Sequence, residues 1–505
     1  MDGVGRSVLS TGVGVSRTTT TTVRLTYTAR VPRRWASVSA NPAAHKERIV
    51  ILGSGWAGYA AARTLSAAKS RRILISPRSH FAFTPLLAST SVGTLEFRAA
   101  LEPVRRLGLD EFHQGWASAV DFRNKLVRVD ANERGDVSAA TNRPQTKGPA
   151  YTVPYDKLII AVGCHSQTFG IEGVPEHANF LRDVGDARAI RLRILQIIET
   201  ANLPTTTDAE RARLLHFVVV GGGPTGIEFA GELHDLLRDD VARMYPELVR
   251  HFAITVYDIA PKVLPMFGPE LAAYATDTFR RQGIRVKTQR RLTRLRRDGR
   301  SLMIRIHGED DEVPAGIVVW STGLTQNPLI KTLVESPDPD GQGRSIAKDA
   351  RTGGIVTNAS LQVQLQGSAQ QGELGGDGGG DGTTTTTTTL KDVYATGDCA
   401  SVQGSKYPAT AQVAAQQAVY LAKQLNSNQD GPDGRPFRFR NWGVMTYLGG
   451  WRAIHQSTQN NLKGWAAWVL WRSAYLTRSM SFRNRIMIPV YWSVTYLFGR
   501  DISRF

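Results

Sequence analysis

The sequence predicts an α/β fold with two Rossmann-like domains and a C-terminal amphipathic region. Three observations predict it: two glycine-rich turns, each between a short apolar run and a helix-like segment, and a change of composition from residue 461. The first turn follows the apolar run 49–52 and the second follows the run 217–220. The turns carry the glycines of a GxGxxG pattern: Gly53, Gly55 and Gly58, then Gly221, Gly223 and Gly226. This order of strand, turn and helix is typical of a dinucleotide-binding unit.

The glycine turns indicate two phosphate-binding sites. Glycine permits a tight turn and lets the backbone approach a pyrophosphate, which then lies at a helix N-terminus where unpaired N–H groups favour an anion. A single turn of this kind is a weak signal, but two in one chain are much stronger. Together they predict two dinucleotides held face to face, as required to pass a hydride from one to the other.

The domain order follows from where strand-like segments recur. Residues 46–204 contain the first turn and a strand that ends at Gly163. Residues 205–335 contain the second turn, and residues 336–460 return to the first domain. We therefore predict that 205–335 is an insertion that splits the first domain. Within the returning part, the Gly- and Thr-rich stretch 366–389 cannot bury a core and predicts a disordered surface insertion.

The returning part supplies a third nucleotide signal. An apolar strand ends at Gly397 and Asp398, where the glycine lets the backbone come close and the carboxylate can accept from a flavin ribityl hydroxyl. On its own this pattern is only a strand-end turn. With two glycine turns upstream, it predicts a flavin.

The strand-end residues of the two domains differ. The first domain has Ser76 where an acid usually binds the ribose, and a serine binds a hydroxyl more weakly. The second domain has Asp258, which can accept from the ribose 2′-OH of NADH and repels the extra phosphate of NADPH. The alternative for Asp258 is a solvated acid at a strand end.

Composition narrows the cellular setting. The 505-residue chain has a net charge of +18, and nothing in it resembles a nucleic-acid module, so the charge favours anionic lipid. Residues 1–45 are rich in Arg, Ser and Thr and poor in acids, which predicts an organelle transit peptide, the alternative being a disordered basic tail. The two cysteines form no CxxC pair, which excludes an electron relay through closely spaced cysteines. The ten histidines show no ligand spacing, so we predict no metal.

The C-terminal region, residues 461–505, predicts an anchor that lies in the membrane plane. Aromatic residues recur there at helical spacing beside arginines: Trp465, Trp468, Trp471 and Tyr475. The apolar run 486–498 is interrupted by Pro489 and is shorter than the roughly 20 residues of a membrane span. Trp and Tyr prefer the headgroup level, and Arg favours anionic lipid. The alternatives are a dimer interface or a core helix, and a homodimer is compatible with membrane attachment.

These motifs together resemble the type II, or alternative, NADH:quinone oxidoreductases, in particular the mitochondrial branch of fungi and plants. The resemblance covers about residues 46–505 without the insertion. It depends on the stretches 49–58, 76–78 with 83–87, 219–232, 395–398 and 411–417. Ser76 is usual in this branch and so supports the resemblance.

The resemblance implies non-covalent FAD in the first domain and NADH as the substrate in the second. The expected FAD-binding residues are Gly53, Gly55, Gly58, Ser76, Thr84, Gly163, Gly397 and Asp398. The expected NADH-binding residues are Gly221, Gly223, Gly226 and Asp258, with Glu228 near the nicotinamide.

Two glutamines are the remaining candidates for catalysis. Gln412 and Gln416 are four residues apart and so share a helix face. The resemblance places that face beside the flavin ring and the headgroup of ubiquinone, where an amide can donate to a quinone carbonyl. The alternative is a polar helix face without a catalytic role.

The resemblance further implies a non-proton-pumping enzyme at the mitochondrial inner membrane. The matrix side is preferred because no segment between the leader and the first domain looks like a stop-transfer helix. Two other functions are compatible with the sequence. A sulfide:quinone oxidoreductase would work through Cys164 and Cys399, and a flavoprotein signalling or assembly factor would use NADH to change shape.

Overall fold

The structure is a computed structural model that describes residues 46–133, 147–336, 338–367, 388–427, 435–479 and 481–504. The predicted leader, residues 1–45, lies outside the described residues. So does residue range 368–387, which is most of the predicted insertion at 366–389.

Five parallel strands form the middle of the largest sheet. Across the sheet they run in the order Thr388–Ala395, Lys157–Ile160, Glu47–Leu52, Ser70–Ser76 and Glu111–Asp121. The central strands are apolar throughout because helices cover both faces of the sheet. Antiparallel strands extend one edge, namely Leu126–Ala131 and Ala150–Pro154. The other edge contains Gln362–Gly367, Ile355–Thr357, Ala400–Val402 and Arg344–Ile346.

Helices from both parts of the first domain cover this sheet. Trp56–Thr64 and Ala411–Asn426 share the core on one face, with Ala57, Ala61 and Leu421 all buried. Pro328–Glu335 packs against the opposite face. Residues on either side of the range 205–335 therefore build one sheet. The short strands His80–Ala82 and Leu101–Pro103 form a separate ribbon beside the helix Leu87–Ser91.

The second domain contains a five-stranded parallel sheet. Its order is Asn179–Phe180, Ile317–Trp320, His216–Val220, Ala253–Tyr257 and Arg285–Lys287. The helices around it are Val184–Asn202, Asp208–Leu214, Pro224–Leu236 and Pro269–Arg281. A three-stranded antiparallel sheet comprises Leu292–Asp298, Ser301–Ile306 and Val313–Ala315. The ribbon of Cys164–Ser166 with Leu324–Gln326 connects the two domains.

The boundaries of this domain differ from the predicted range 205–335. Its edge strand, Asn179–Phe180, and the helix Val184–Asn202 precede residue 205. At the other end, Pro328–Glu335 packs against the core of the first domain. A two-residue strand shows no periodicity, which is why the pattern of the sequence alone does not reveal the earlier start.

The C-terminal region combines a small sheet with two helices. The antiparallel strands Val444–Gly449, Arg452–Gln456 and Asn461–Gly464 precede the helices Trp465–Arg478 and Phe482–Phe498. The second helix contains Pro489 and buries Asn484 and Ile488 against the first domain. Its opposite side exposes an apolar stripe consisting of Phe482, Ile486, Val490, Val494, Leu497 and Phe498. In the part of the chain that the structure describes, no helix is long and apolar enough to cross a membrane.

Candidate cofactor and substrate sites

A cavity of about 620 Å³ opens at the carboxyl ends of the central strands of the first domain. Seven of the eight residues predicted to hold FAD line it, namely Gly53, Gly55, Ser76, Thr84, Gly163, Gly397 and Asp398. The eighth, Gly58, lies behind the turn. A Cβ at Gly58 would lie 1.8 Å from the Gly53 carbonyl oxygen, so this glycine is required for close packing of the helix on the turn.

The first glycine turn leaves room for a pyrophosphate. Gly53 has a φ of 101°, and a Cβ there would lie 2.5 Å from the Ala161 carbonyl oxygen. Nothing lies within 4 Å of where a Cβ on Gly55 would be, and the helix Trp56–Thr64 begins there. An open space at a helix N-terminus favours an anion.

Cationic side chains from outside the fingerprint also line this cavity. Arg78 and Arg182 both contribute, and Arg78 lies 3.8 Å from Asp183. Ser76 lies beneath them, with its hydroxyl 2.8 Å from that of Ser54, and it accepts from the Arg78 amide at 3.2 Å. The cavity therefore fits an acidic dinucleotide such as FAD. The sequence pattern does not predict that Arg182 belongs to this site, because Arg182 is part of no motif.

Asp398 and Cys164 meet at the wall of the cavity. The Cys164 thiol donates to Asp398 Oδ2 at 3.2 Å, and Arg182 donates to the Cys164 sulfur at 3.5 Å. Burial raises the pKa of the Cys164 thiol to about 12 and that of Cys399 to about 11. Both thiols are thus protonated and unreactive at neutral pH. Gly397 is fixed by Gln417, whose side-chain oxygen accepts from the Gly397 amide at 2.8 Å.

The second glycine turn has the same construction. Gly221 has a φ of 112°, and a Cβ there would lie 2.7 Å from the Ser321 carbonyl oxygen. A Cβ on Gly226 would lie 2.0 Å from the Gly221 carbonyl oxygen, whereas Gly223 faces open space at the start of Pro224–Leu236. This turn again offers a helix N-terminus to a phosphate.

Asp258 contacts the second turn directly. Its Oδ2 accepts from the Gly222 amide at 2.5 Å, and its Oδ1 accepts from the Ala260 amide at 2.7 Å. The half-buried carboxylate stands at the end of Ala253–Tyr257, as predicted from the sequence. Its charge therefore lies beside the turn that is expected to hold NADH.

Glu228 lies one turn into the helix Pro224–Leu236 and is buried against the C-terminal region. Its Oε1 accepts from the Trp471 indole N–H at 3.2 Å and from the Tyr447 amide at 3.3 Å. Burial raises the pKa of Glu228 to about 8, and the nearby charge of Glu232 contributes in the same direction. The side chain is therefore largely protonated at neutral pH and can donate a hydrogen bond.

Two further buried acids follow on the same helix face. Glu232 accepts from Ser89 and Thr94 of the first domain, both at 2.6 Å. Asp235 accepts from the Tyr447 hydroxyl at 2.6 Å and from the Gly450 amide at 2.8 Å. This face of the helix thus contacts both the first domain and the C-terminal region.

The last residues of the chain reach the continuation of this helix. Arg500 Nη1 lies 2.6 Å from Asp240 Oδ2, and both side chains are nearly buried. Arg500 also donates to Thr94 at 3.0 Å, while Asp501 lies 3.5 Å from Arg191. Arg500 and Asp501 therefore attach the C-terminal region to both nucleotide domains.

Gln412 and Gln416 share one face of Ala411–Asn426, as the spacing predicts. Each amide makes two bonds to the backbone of the segment 440–443. Gln412 donates to the Gly443 carbonyl at 2.7 Å and accepts from the Trp442 amide at 3.2 Å. Gln416 donates to the Arg440 carbonyl at 2.9 Å and accepts from the Arg440 amide at 3.0 Å. Both amides therefore hold this segment on the helix.

Across the residues that the structure describes, no group of His, Cys, Asp or Glu side chains is arranged to hold a metal ion.

Comparison with known proteins yields two family matches. Residues 47–367 match the pyridine nucleotide-disulphide oxidoreductase family, and residues 442–501 match the NDH2 C-terminal domain. The second match contains the small C-terminal sheet and both C-terminal helices. The second glycine turn and most of the cavity lie within the first match. Residues that follow the match also line the cavity, namely Thr396, Gly397, Asp398, Ala411 and Ala414.

Relatives match along most of the chain. A probable NADH dehydrogenase of Dictyostelium discoideum is 38% identical over 91% of this chain and 91% of its own length. An internal alternative NAD(P)H-ubiquinone oxidoreductase of potato, Solanum tuberosum, is 35% identical over 91% of this chain and 88% of its own length. A solved structure of NDH2 from Plasmodium falciparum with NADH has the same fold, with a TM-score of 0.76 and 23% identity over 91% of this chain and all of that one. The chain belongs to the type II, or alternative, NADH:ubiquinone oxidoreductases, within the pyridine nucleotide-disulphide oxidoreductase family.

Proposed function

We propose that this chain is an FAD-dependent, non-proton-pumping NADH:ubiquinone oxidoreductase. The observation that carries the proposal is Glu228, a protonated acid on the helix that begins at the second glycine turn, bonded to Trp471 of the C-terminal region. It thus connects the expected NADH site with the region expected to meet the quinone. Alternative NAD(P)H-ubiquinone oxidoreductases among the relatives support the same activity.

The first domain supplies the FAD site. Bound there, FAD would supply the hydride and electron chemistry that links oxidation of NADH to reduction of the quinone. The helix N-terminus at Gly55 and the cations Arg78 and Arg182 would bind the pyrophosphate, and Asp398 would accept from a hydroxyl of the cofactor.

The second domain supplies the NADH site. Gly221, Gly223 and Gly226 let the pyrophosphate approach the start of the helix, and Asp258 binds the adenosine ribose. The Asp258 carboxylate is already oriented by two backbone amides. Its negative charge opposes a 2′-phosphate and so favours NADH over NADPH.

Glu228 holds a proton for quinone reduction. Since Oε1 accepts two N–H bonds, the proton of the neutral acid resides on Oε2 and points away from Trp471 and Tyr447. Reduction of the quinone consumes two protons, and Glu228 Oε2 supplies one of them. Gln412 and Gln416 contribute to the expected quinone site by holding the segment 440–443 in place. For either side-chain amide to contact the quinone directly, it must give up one of its hydrogen bonds to that backbone and form one to the quinone headgroup.

The apolar stripe attaches the protein to the mitochondrial inner membrane from the matrix side. Its members range from 44% exposed at Val490 to 82% exposed at Phe498, and Trp465 nearby is 66% exposed. Such a continuous apolar surface marks a membrane or protein contact. A homodimer through the same stripe is the second candidate. The relatives named as mitochondrial support the organelle, and residues 1–45 serve as the transit peptide.

Vesicle flotation tests this attachment. We expect the double variant I486E/V490E to lose binding to vesicles of phosphatidylcholine and cardiolipin, while L203E/V249E, which changes two residues exposed elsewhere, floats like wild type. Flotation of I486E/V490E at the wild-type level would refute membrane attachment through the stripe. A halved mass of this variant in solution would instead assign the stripe to a dimer.

The activity is tested by measuring the steady-state reduction of a ubiquinone analogue by the purified, detergent-solubilised protein. NADH and NADPH are compared in parallel, and the flavin spectrum is recorded. Rapid, NADH-preferring reduction by flavin-containing protein is expected. Flavin that is bleached by NADH without quinone reduction would favour the signalling function. Bleaching by sulfide alone would favour a sulfide:quinone oxidoreductase, a class whose solved example from Aquifex aeolicus shares the fold with a TM-score of 0.58 and 16% identity over 90% of this chain and 96% of that one.

A further inference from the structure

Trp56 begins the helix that follows the first glycine turn. It follows Gly55 directly, and its indole N–H donates to the Thr84 hydroxyl at 3.0 Å. Both side chains line the cavity assigned to FAD. Trp56 thus joins the glycine turn to the short helical turn Thr84–Leu86 at the wall of the cavity.

The indole is held in one orientation by other aromatic rings. Phe81 packs edge-on against Trp56 at 5.0 Å between ring centroids, and Phe83 packs at 5.2 Å. Phe81 is completely buried, and Phe83 is in turn 6.1 Å from Tyr475 of the C-terminal helices. Because these rings fix the indole, the direction from which its N–H approaches Thr84 is fixed as well.

This bond determines what the Thr84 hydroxyl can do. A hydroxyl has one proton to donate and two lone pairs that accept. Trp56 occupies a lone pair, and within the described residues the hydroxyl donates to no other group. Its proton therefore points away from the indole, and the exposed Thr84 lines the cavity.

We propose that Trp56 is a positioning residue that makes Thr84 a hydrogen-bond donor to the bound flavin. The inference rests on the assignment of the cavity to FAD. Reduction adds electron density to the acceptor atoms of the flavin ring, and a hydrogen bond to a more negative acceptor is stronger. The Thr84 donor therefore favours the reduced cofactor and raises its reduction potential.

The test compares the FAD-loaded variants Trp56→Phe and Thr84→Val, measuring the midpoint potential and the visible flavin spectrum. Each change is expected to lower the equilibrium constant for two-electron reduction about three- to tenfold, a tenfold change corresponding to about 30 mV. The double variant W56F/T84V is expected to match T84V alone, because Trp56 acts only through Thr84. Thr84→Ser, which keeps the hydroxyl, is expected to restore the wild-type potential.

Trp451 provides the matched control. It is 43% exposed in the turn between Val444–Gly449 and Arg452–Gln456 and does not line the cavity, so Trp451→Phe should leave the potential unchanged. A wild-type potential and spectrum in W56F, or additive effects in the double variant, would overturn the proposal. If W56F loses FAD, a benzothienyl-alanine at position 56 keeps the ring shape without the N–H and decides the question. Absence of flavin from the wild-type protein would instead overturn the FAD assignment.

Discussion

Replacing Glu228 by Gln tests the burial of a protonated acid beside the nucleotide helix. The side chain is 7% exposed, and burial raises its pKa from the ordinary 4.5 to about 8. The folded protein therefore binds more protons than the unfolded chain between pH 4.5 and about 8. The contribution of Glu228 to the free energy of unfolding is therefore greatest below pH 4.5. It falls as the pH rises from 4.5 to about 8, and it no longer changes above that pH.

The structure gives the size of the effect. One pKa unit corresponds to about 1.4 kcal/mol of free energy. At pH 7 the buried Glu228 therefore lowers the free energy of unfolding by roughly 3 kcal/mol relative to a carboxyl group with the ordinary pKa. Glutamine is neutral at every pH, and its side-chain oxygen can still accept from Trp471 and Tyr447. We therefore expect E228Q to be about as stable as wild type at pH 4.5 and progressively more stable than wild type towards pH 8.

Urea unfolding of both FAD-loaded proteins at pH 5, 6, 7 and 8 measures this difference. The control is Glu270→Gln, the same substitution at an exposed acid that pairs with Lys463. E270Q should show no trend over this range, because the pKa of Glu270 is lowered by that partner. A difference between E228Q and wild type that stays constant from pH 5 to 8 would refute the raised pKa and with it the proton-donating role.

Three further outcomes are expected. Asp258→Asn should raise the ratio of kcat/KM for NADPH to that for NADH about tenfold, because it removes the charge that opposes a 2′-phosphate; an unchanged ratio in parallel assays would contradict this role. Arg500→Met should lower the free energy of unfolding by about 3–5 kcal/mol, since it leaves Asp240 buried without its partner; a loss below about 1 kcal/mol in urea titration would contradict it. The double variant C164S/C399S should keep quinone reduction within about twofold of wild type, because both thiols are buried and protonated; a complete loss would favour thiol chemistry.

The nucleotide turns are predictable from the sequence because their requirements are local. Gly53 and Gly221 adopt positive φ values, and Gly58 and Gly226 touch backbone atoms of the same turn. A pattern of six residues therefore contains nearly all the information that is needed to predict such a turn. Asp258 is predictable for the same reason, since it ends the strand next to the turn.

The partners of Glu228 are not predictable in this way. Trp471 and Tyr447 lie more than two hundred residues further along the chain, and the protonation of Glu228 depends on their packing. The two glutamines show the same limit. Their shared helix face follows from the spacing, but their bonds to the segment 440–443 depend on a loop without any motif.

The helix Pro224–Leu236 and its continuation to Val241 contribute both to the nucleotide site and to the attachment of the C-terminal region. The start of the helix forms the phosphate turn, while Glu228, Asp235 and Asp240 bind the C-terminal region. The C-terminal region is consequently not an interchangeable module. A chimaera that takes this region from another member of the family must take the matching residues of the nucleotide helix with it, and the two segments are expected to change together when such enzymes diverge.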